Sequence, residues 1–519
     1  MFVFVLLSVT MLVRAADDNF INNNNGAQPG DQPLFLSPLI AEQRLEEARK
    51  QSRVDNLTSF GVEAFSGYIT VDEGKGSNLF FFLVKSEQAT KDRPLILWLQ
   101  GGPGQSSLFT AFTGTGPIGI NKDGELSKRA LHLQTDYDIL YLDEPVGAGY
   151  SFTKDAAKGF PKSIEDMAVA MEVFLRQFLL LFSEYNGREF YISGESYGVR
   201  PAAALAAHVY DLEEQGNPLC LNLSGVMLGV GFFRELYEQK DVSDYYLQLG
   251  LVDLRDYVEL KQRVDQFKGL MKNSTALLPL LALFADTFRT ANNFTNPTFF
   301  NKITSFIYDS NALQATPPPE FHQFNELMRS DWFKKSVHVG TAARFRDSDH
   351  LIRMNLATDL FKNISKQLEF LLKMHCRVVV YCGQVDLTFP IVKTQEFLLN
   401  LEWPEADEFR GAPRLPWWGD AADDDFAGHV TEGGGLRFVT LRFTGHYPFF
   451  DQPKDAYEVV RAFVANRTLL TKKIDVRMGR YVIPEGRADI HVSNVRPRNP
   501  RSLGPLFGEA PGSTHLVDL

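Results

Sequence analysis

One serine, one aspartate and one histidine stand where nucleophilic catalysis would need them. Ser196 lies in Gly194-Glu195-Ser196-Tyr197-Gly198, between the strand-like run REFYIS and an alanine-rich, helix-prone stretch. A serine hydroxyl at its ordinary pKa is a weak nucleophile. It needs a histidine to take its proton, a carboxylate to fix that histidine, and donors for the negative charge that develops on the attacked oxygen. Asp386 follows the apolar run RVVVYCG, and His446, preceded by Gly445, follows LRFVTLRF. Each alone is unremarkable, since a short G-x-S-x-G match is often only a turn. Their order (Ser, Asp, His) and their shared place at strand ends point to a triad. Ser196 would attack, His446 would act as base and then acid, and Asp386 would orient His446. The turn WLQGGPGQSS at 98–107 precedes the serine and follows another strand-like run. It offers the Gly102 N–H as one oxyanion donor, and Tyr197, next to the serine, offers the other.

These residues need a sheet to hold them. AFSGYITV, SNLFFFLVKS, PLILWLQGG, YDILYLDEPVGAGYS, REFYISG and LSGVMLGVG are apolar, strand-like runs, several of them continuous enough to be buried on both faces. EDMAVAMEVFLRQFLLLF carries apolar residues at helical spacing. Strands alternating with helices predict an α/β fold, a mostly parallel central sheet flanked by helices. The rhythm stops at 232–345, which reads as a helical insertion, or cap. It splits the α/β domain into a first half at 35–231 and a second at 346–466. Residues 403–432, with PWWGDAADDDF, read as an acidic surface loop. Residues 17–34 and the proline-bearing tail 467–519 read as segments without fixed structure.

The chain has 519 residues, 44% of them apolar, and a net charge of −11. A core of that size can be large, and the absence of a basic stripe argues against a nucleic-acid partner. Residues 1–16, an apolar run ending in Val13-Arg14-Ala15, read as a signal peptide too short to span a membrane, and no later run predicts a span. Six N-x-[ST] sequons at Asn56, Asn222, Asn273, Asn293, Asn363 and Asn466 fit a glycosylated product of the secretory route, secreted or lysosomal. The three cysteines are Cys220, Cys376 and Cys382. If RVVVY is a strand, Cys376 and Cys382 lie about 20 Å apart, at roughly 3.3 Å per residue, and a disulfide between them is excluded. At most one bridge can form, through Cys220, so the core must hold this fold.

Five ordered blocks resemble the serine carboxypeptidase family, closest to its vitellogenic carboxypeptidase-like branch: LILWLQGGPGQSS, YLDEPVGAGYSF, YISGESYGV, YCGQVD and GHYPFFDQP. The resemblance covers about residues 35–466. It implies an α/β-hydrolase that removes single residues from the free C-termini of peptides and proteins through an acyl-enzyme, best at acidic pH. It implies no metal and no cofactor, and it is compatible with a homodimer. It further implies a clamp for the substrate carboxylate, built from Gln100, Gly101 and Glu195. Carboxyls close together resist joint ionisation, so such a clamp keeps a proton to donate, and raising the pH removes it.

The sequence departs from that pattern in several places. The position where the resemblance puts a second acid is Gly114. Gln105 replaces a cysteine, and Gly198-Val199 replaces Ala-Gly in the elbow, a β-branched residue where tight packing usually selects glycine. Two other outcomes therefore stay open: a weakly active or inactive relative that binds proteins or peptides, and an esterase or acyltransferase on the same scaffold.

Overall fold

A computed structural model describes residues 31–87, 93–272, 277–291, 296–347, 350–475 and 480–482. The signal-peptide reading, Asn273, Asn293 and the tail beyond 482 lie outside the described residues.

Eleven strands form one sheet. They are β1 (Ala64–Asp72), β2 (Ser77–Val84), β3 (Leu95–Leu99), β4 (Asp138–Leu142), β5 (Glu189–Glu195), β6 (Asn222–Gly229), β7 (Val378–Gly383), β8 (Leu415–Trp418), β9 (Gly428–Gly433), β10 (Leu436–Leu441) and β11 (Leu470–Thr471). Their spatial order is β1-β2-β4-β3-β5-β6-β7-β10-β9-β8-β11. The six central strands, β4 to β10 in that order, run parallel, and antiparallel strands extend both edges.

The continuous apolar runs have a direct cause. Alternate residues of a strand face opposite sides, so a sheet covered on both sides must be apolar at every position. Leu95, Leu97 and Leu99 enter one core, while Ile96 and Trp98 enter the other. Val378, Val380 and Cys382 divide from Val379 and Tyr381 in the same way. Helix Ile164–Leu181 closes the first core with Met167, Met171, Phe174, Leu175 and Phe178, all buried. Its N-terminus is capped by the Ser163 hydroxyl, which accepts the Asp166 N–H at 3.2 Å.

Between β6 and β7 the described residues are helices and loops, the longest helix being Leu254–Lys272. Helix Pro319–Arg329 brings Phe321 and Phe324 onto Phe109, at 4.8 and 5.4 Å between ring centroids.

Three sequence expectations need correction. The stretch 403–432 is not a surface loop. It contains β8 and β9, and both Trp417 and Trp418 are fully buried. The acidic run Asp420–Asp425 lies in the turn between them, where Asp423 binds Lys454. Order also continues past 466, because Leu470 and Thr471 pair with Trp418 and Trp417 as the edge strand β11. At the other end, residues 31–34 have defined positions, with the Leu34 N–H donating to His338 O at 2.9 Å.

Candidate active site

β5 ends at Glu195, and Ser196 follows in the left-handed region at φ 57°. Such a backbone is uncommon for a residue with a side chain and marks a strained turn. The turn is tight enough to need glycine on both sides. A Cβ at Gly194 would lie 2.2 Å from Gly198 O, and one at Gly198 would lie 2.5 Å from Leu99 O. Val199, flagged as too large for an elbow, causes no conflict. It is buried in the core, and Gly198 takes the close approach instead.

His446 comes from the loop after β10 and Asp386 from the loop after β7. His446 Nε2 lies 2.9 Å from Ser196 Oγ, and His446 Nδ1 lies 2.8 Å from Asp386 Oδ2. A carboxylate can only accept, so Nδ1 carries the proton and Nε2 accepts from the serine hydroxyl. Asp386 is fully buried, and its Oδ1 accepts the N–H groups of Thr388 and Phe389 at 2.7 and 3.1 Å. The histidine loop is fixed in turn. The Gly445 N–H donates to Asp451 Oδ2 at 2.7 Å, and the His446 N–H donates to Ser310 O at 2.8 Å. This arrangement can move a proton from Ser196 to His446 and hold the imidazolium that results.

The turn after β3 passes against the serine: a Cβ on Gly101 would lie 2.5 Å from Ser196 Cβ. Gly102 follows and is exposed. Tyr197 opens the helical turn after Ser196, where the first N–H groups have no acceptor within the helix. Its hydroxyl is anchored elsewhere, on Asp359 Oδ2 at 2.8 Å.

Gln100 and Glu195 also meet. Gln100 Nε2 donates to Glu195 Oε2 at 3.2 Å, and Gln100 Oε1 accepts the Gly101 N–H at 2.8 Å. Two residues not foreseen complete this network. Tyr381 donates its hydroxyl to Glu195 Oε1 at 3.2 Å. Thr110 bonds Gln100 Nε2 and reaches Glu195 Oε2 at 3.4 Å. Glu195 is 3% exposed. Burial pushes its carboxyl up to about 7, against the opposing pull of the Gln100, Tyr381 and Thr110 donors and of His446. Tyr381 had a sequence signal, since it is the last inward aromatic of the strand that leads to Asp386. Thr110 had none.

The described sequon asparagines Asn56, Asn222, Asn363 and Asn466 are all exposed. Cys220, Cys376 and Cys382 are free thiols, the last two buried. No helix among the described residues is long and apolar enough to cross a membrane.

The model of the serine carboxypeptidase family matches residues 55–466. The venom serine carboxypeptidase of Apis mellifera is 30% identical over 439 residues, covering 84% of this chain and 91% of the relative. The vitellogenic carboxypeptidase of Aedes aegypti is 32% identical over 450 residues, covering 84% of this chain and 91% of that protein. Among solved structures, a prohormone-processing carboxypeptidase from Saccharomyces cerevisiae superposes with a TM-score of 0.65 at 20% identity, over 81% of this chain and 94% of the other. That likeness concerns the fold. The chain belongs to the serine carboxypeptidase family.

Proposed function

We propose that the chain cleaves single residues from the free C-termini of peptides through an acyl-enzyme on Ser196. The hydrogen-bonded series Ser196–His446–Asp386, beside a buried carboxyl that stays protonated below about pH 7, carries this reading. Ser196 Oγ attacks the last peptide carbonyl while its proton passes to His446 Nε2. The Gly102 and Tyr197 N–H groups receive the oxyanion. The tetrahedral species collapses, His446 returns the proton to the leaving amine, and the free amino acid departs. Water then attacks the ester with His446 as base, and Ser196 regains its proton.

The terminal carboxylate is held by Gln100, the Gly101 turn and Glu195. A neutral Glu195 can donate to a carboxylate, whereas an ionised one repels it. That makes acidic pH the favourable range. Residues 232–345 act in this reading as a cap over the sheet. The exposed sequons support glycosylation of a chain that enters the secretory route for export or for the lysosome.

The test is release of C-terminal amino acids from N-blocked dipeptides between pH 4 and 8, with Ser196→Ala as control. No release by folded wild-type protein at any of these values would refute the proposal. A second reading, hydrolysis of uncharged esters, is favoured by one observation: Gly114 leaves Glu195 without a second acid. A carboxypeptidase should strongly prefer a free-acid substrate over its amide or methyl ester, and an esterase should not.

A further inference from the structure

Lys240 follows the short helix Leu236–Gln239 and is 2% exposed. Its Nζ donates to Thr388 O at 2.6 Å. The rings of Phe389, Phe288 and Phe284 surround it, with centroids at 5.4, 5.7 and 6.0 Å. The neighbouring helix Ser243–Gln248 adds Tyr246, whose hydroxyl donates to Leu387 O at 3.1 Å. Thr388 Oγ1 in turn donates to Asp309 O at 2.9 Å.

These contacts meet on the loop that bears Asp386. The N–H groups of Thr388 and Phe389 point at the Asp386 carboxylate, as described above. The carbonyls of Leu387 and Thr388 are taken by Tyr246 and Lys240. The loop is thus gripped on both sides, and the Phe389 ring stands edge-on to His446 at 5.5 Å. Contacts of this kind to the 386–389 loop need only a neutral donor, such as the Tyr246 hydroxyl. An ammonium buried without a bonded carboxylate is a costly substitute, so its charge asks for an explanation.

The charges around Lys240 are few. Burial pushes the amine down to about 8, with Arg289 adding to the shift and Asp309 and Asp386 opposing it. Asp309 is itself engaged by Arg289 at 3.3 Å. Asp241 beside Lys240 is paired with Lys268, and Asp286 on helix Leu277–Phe288 is paired with Arg263. Asp386 is therefore the acceptor of its field that carries no cation of its own.

We infer that Lys240 is a positioning residue for the relay: it fixes the Asp386 loop through the Thr388 carbonyl and places a positive charge behind Asp386, favouring carboxylate with neutral imidazole over imidazolium. This rests on the assignment of Asp386 and His446 to proton transfer. The charge is present throughout the acidic and neutral range, where the proposed reaction runs.

The test compares wild type with Lys240→Met, Lys240→Gln and Tyr246→Phe. It follows kcat and KM against pH on a blocked dipeptide and labelling of Ser196 by a fluorophosphonate. Removing the charge should let His446 protonate more easily. The acid-side fall of kcat/KM should then move to higher pH by roughly one unit in both lysine variants, with kcat lowered and KM little changed. Tyr246→Phe, which removes a neutral donor, should lower kcat and leave the pH profile in place. A folded Lys240→Met enzyme with the wild-type profile overturns the inference. If neither lysine variant folds, an unchanged kcat in Tyr246→Phe overturns it. Wild-type protein that is not labelled at Ser196 overturns the relay assignment itself, and this inference with it.

Discussion

Phe449 occupies the space in which a side chain at Gly114 would begin: a Cβ on Gly114 would lie 2.9 Å from Phe449 Cβ. Gly114 sits in a widened helical turn, Ala111–Thr115, and its carbonyl accepts the Tyr457 hydroxyl at 2.8 Å. The Phe449 ring packs edge-on against Trp98 and Tyr381, at 5.2 and 6.0 Å. The missing second acid is thus part of a repacked wall, with an aromatic ring behind the Glu195 network. Gly114→Ala is expected to destabilise the protein by about 1–3 kcal/mol through overpacking. Gly114→Glu alone should do the same without raising the preference for free-acid substrates. The acid should raise that preference only when Phe449→Ala makes room for it. Chemical denaturation of the two single variants and the double variant, with the acid-to-ester rate ratio of each, checks this. A gain in free-acid preference from Gly114→Glu alone would show that the wall yields.

In the proposed reaction Glu195 predicts a pH dependence of definite sign. Its carboxyl moves from an ordinary 4.5 up to about 7 because burial disfavours the charged form. Below about pH 7 it is neutral and able to donate to a carboxylate, and above that value it is an anion. For free-acid substrates KM is expected to rise as pH passes through 7. An ester of the same peptide, with no terminal charge, should show no such rise. In Glu195→Gln, which stays neutral, the rise should vanish for the free acid as well. The folded state also holds this proton more tightly than the unfolded chain, so its contribution to stability is full below about 4.5 and is lost as pH climbs to 7. Titration of KM for the acid and ester pair in both proteins decides the matter. An identical rise in Glu195→Gln would assign it to another group.

Asp386 is expected to matter through orientation. Asp386→Asn keeps the shape and removes the charge, and an asparagine can turn its amide nitrogen toward His446 and favour the wrong tautomer. A fall in kcat of about 10⁴-fold with KM nearly constant is expected, by analogy with triads of this geometry. Fluorophosphonate labelling should slow in parallel while the melting temperature stays close to that of wild type. A loss of labelling accompanied by unfolding would instead mark Asp386 as structural.

The sheet and the meeting of Ser196, His446 and Asp386 were legible in the sequence for one reason. A parallel sheet covered on both faces leaves uninterrupted apolar runs, and these three residues stand in turns and loops where those runs end. That logic placed Ser196, Asp386 and His446 without any contact being known. It failed for Trp417 and Trp418, because a four-residue strand containing Pro416 and followed by acidic residues has no alternation to read. It also could not find Thr110 or Asp451. Their partners, Glu195 and Gly445, are set by tertiary packing, and a hydroxyl or carboxylate that serves a loop leaves no periodic trace. At Val199 the sequence rule was sound, but the need for a small residue had moved to Gly198, a shift visible only once Leu99 O is located.

The residue after the elbow's turn has a role that sequence alone left unmarked. Arg200 is fully buried, and its guanidinium spends its donors on one segment of the second half of the chain and one segment after β6. It bonds Asp359 Oδ2 at 3.2 Å, and the carbonyls of Asp359, Lys362, Phe232 and Arg234 at 3.0, 2.6, 3.0 and 2.8 Å. Its plane also lies 4.0 Å from the Phe232 ring. Asp359 accepts from both Arg200 and the Tyr197 hydroxyl, so one carboxylate ties the turn after β5 to these segments. Removing it leaves a buried cation without its counter-charge. Asp359→Ala is therefore expected to cost about 3–5 kcal/mol. Tyr197→Phe, which deletes one hydroxyl donor and keeps the N–H beside Ser196, should cost only about 1 kcal/mol and leave kcat within a few-fold. Urea denaturation of both variants, with turnover of the folded Tyr197→Phe protein, checks the ordering. Equal destabilisation would mean that the hydroxyl, rather than the ion pair, holds the turn.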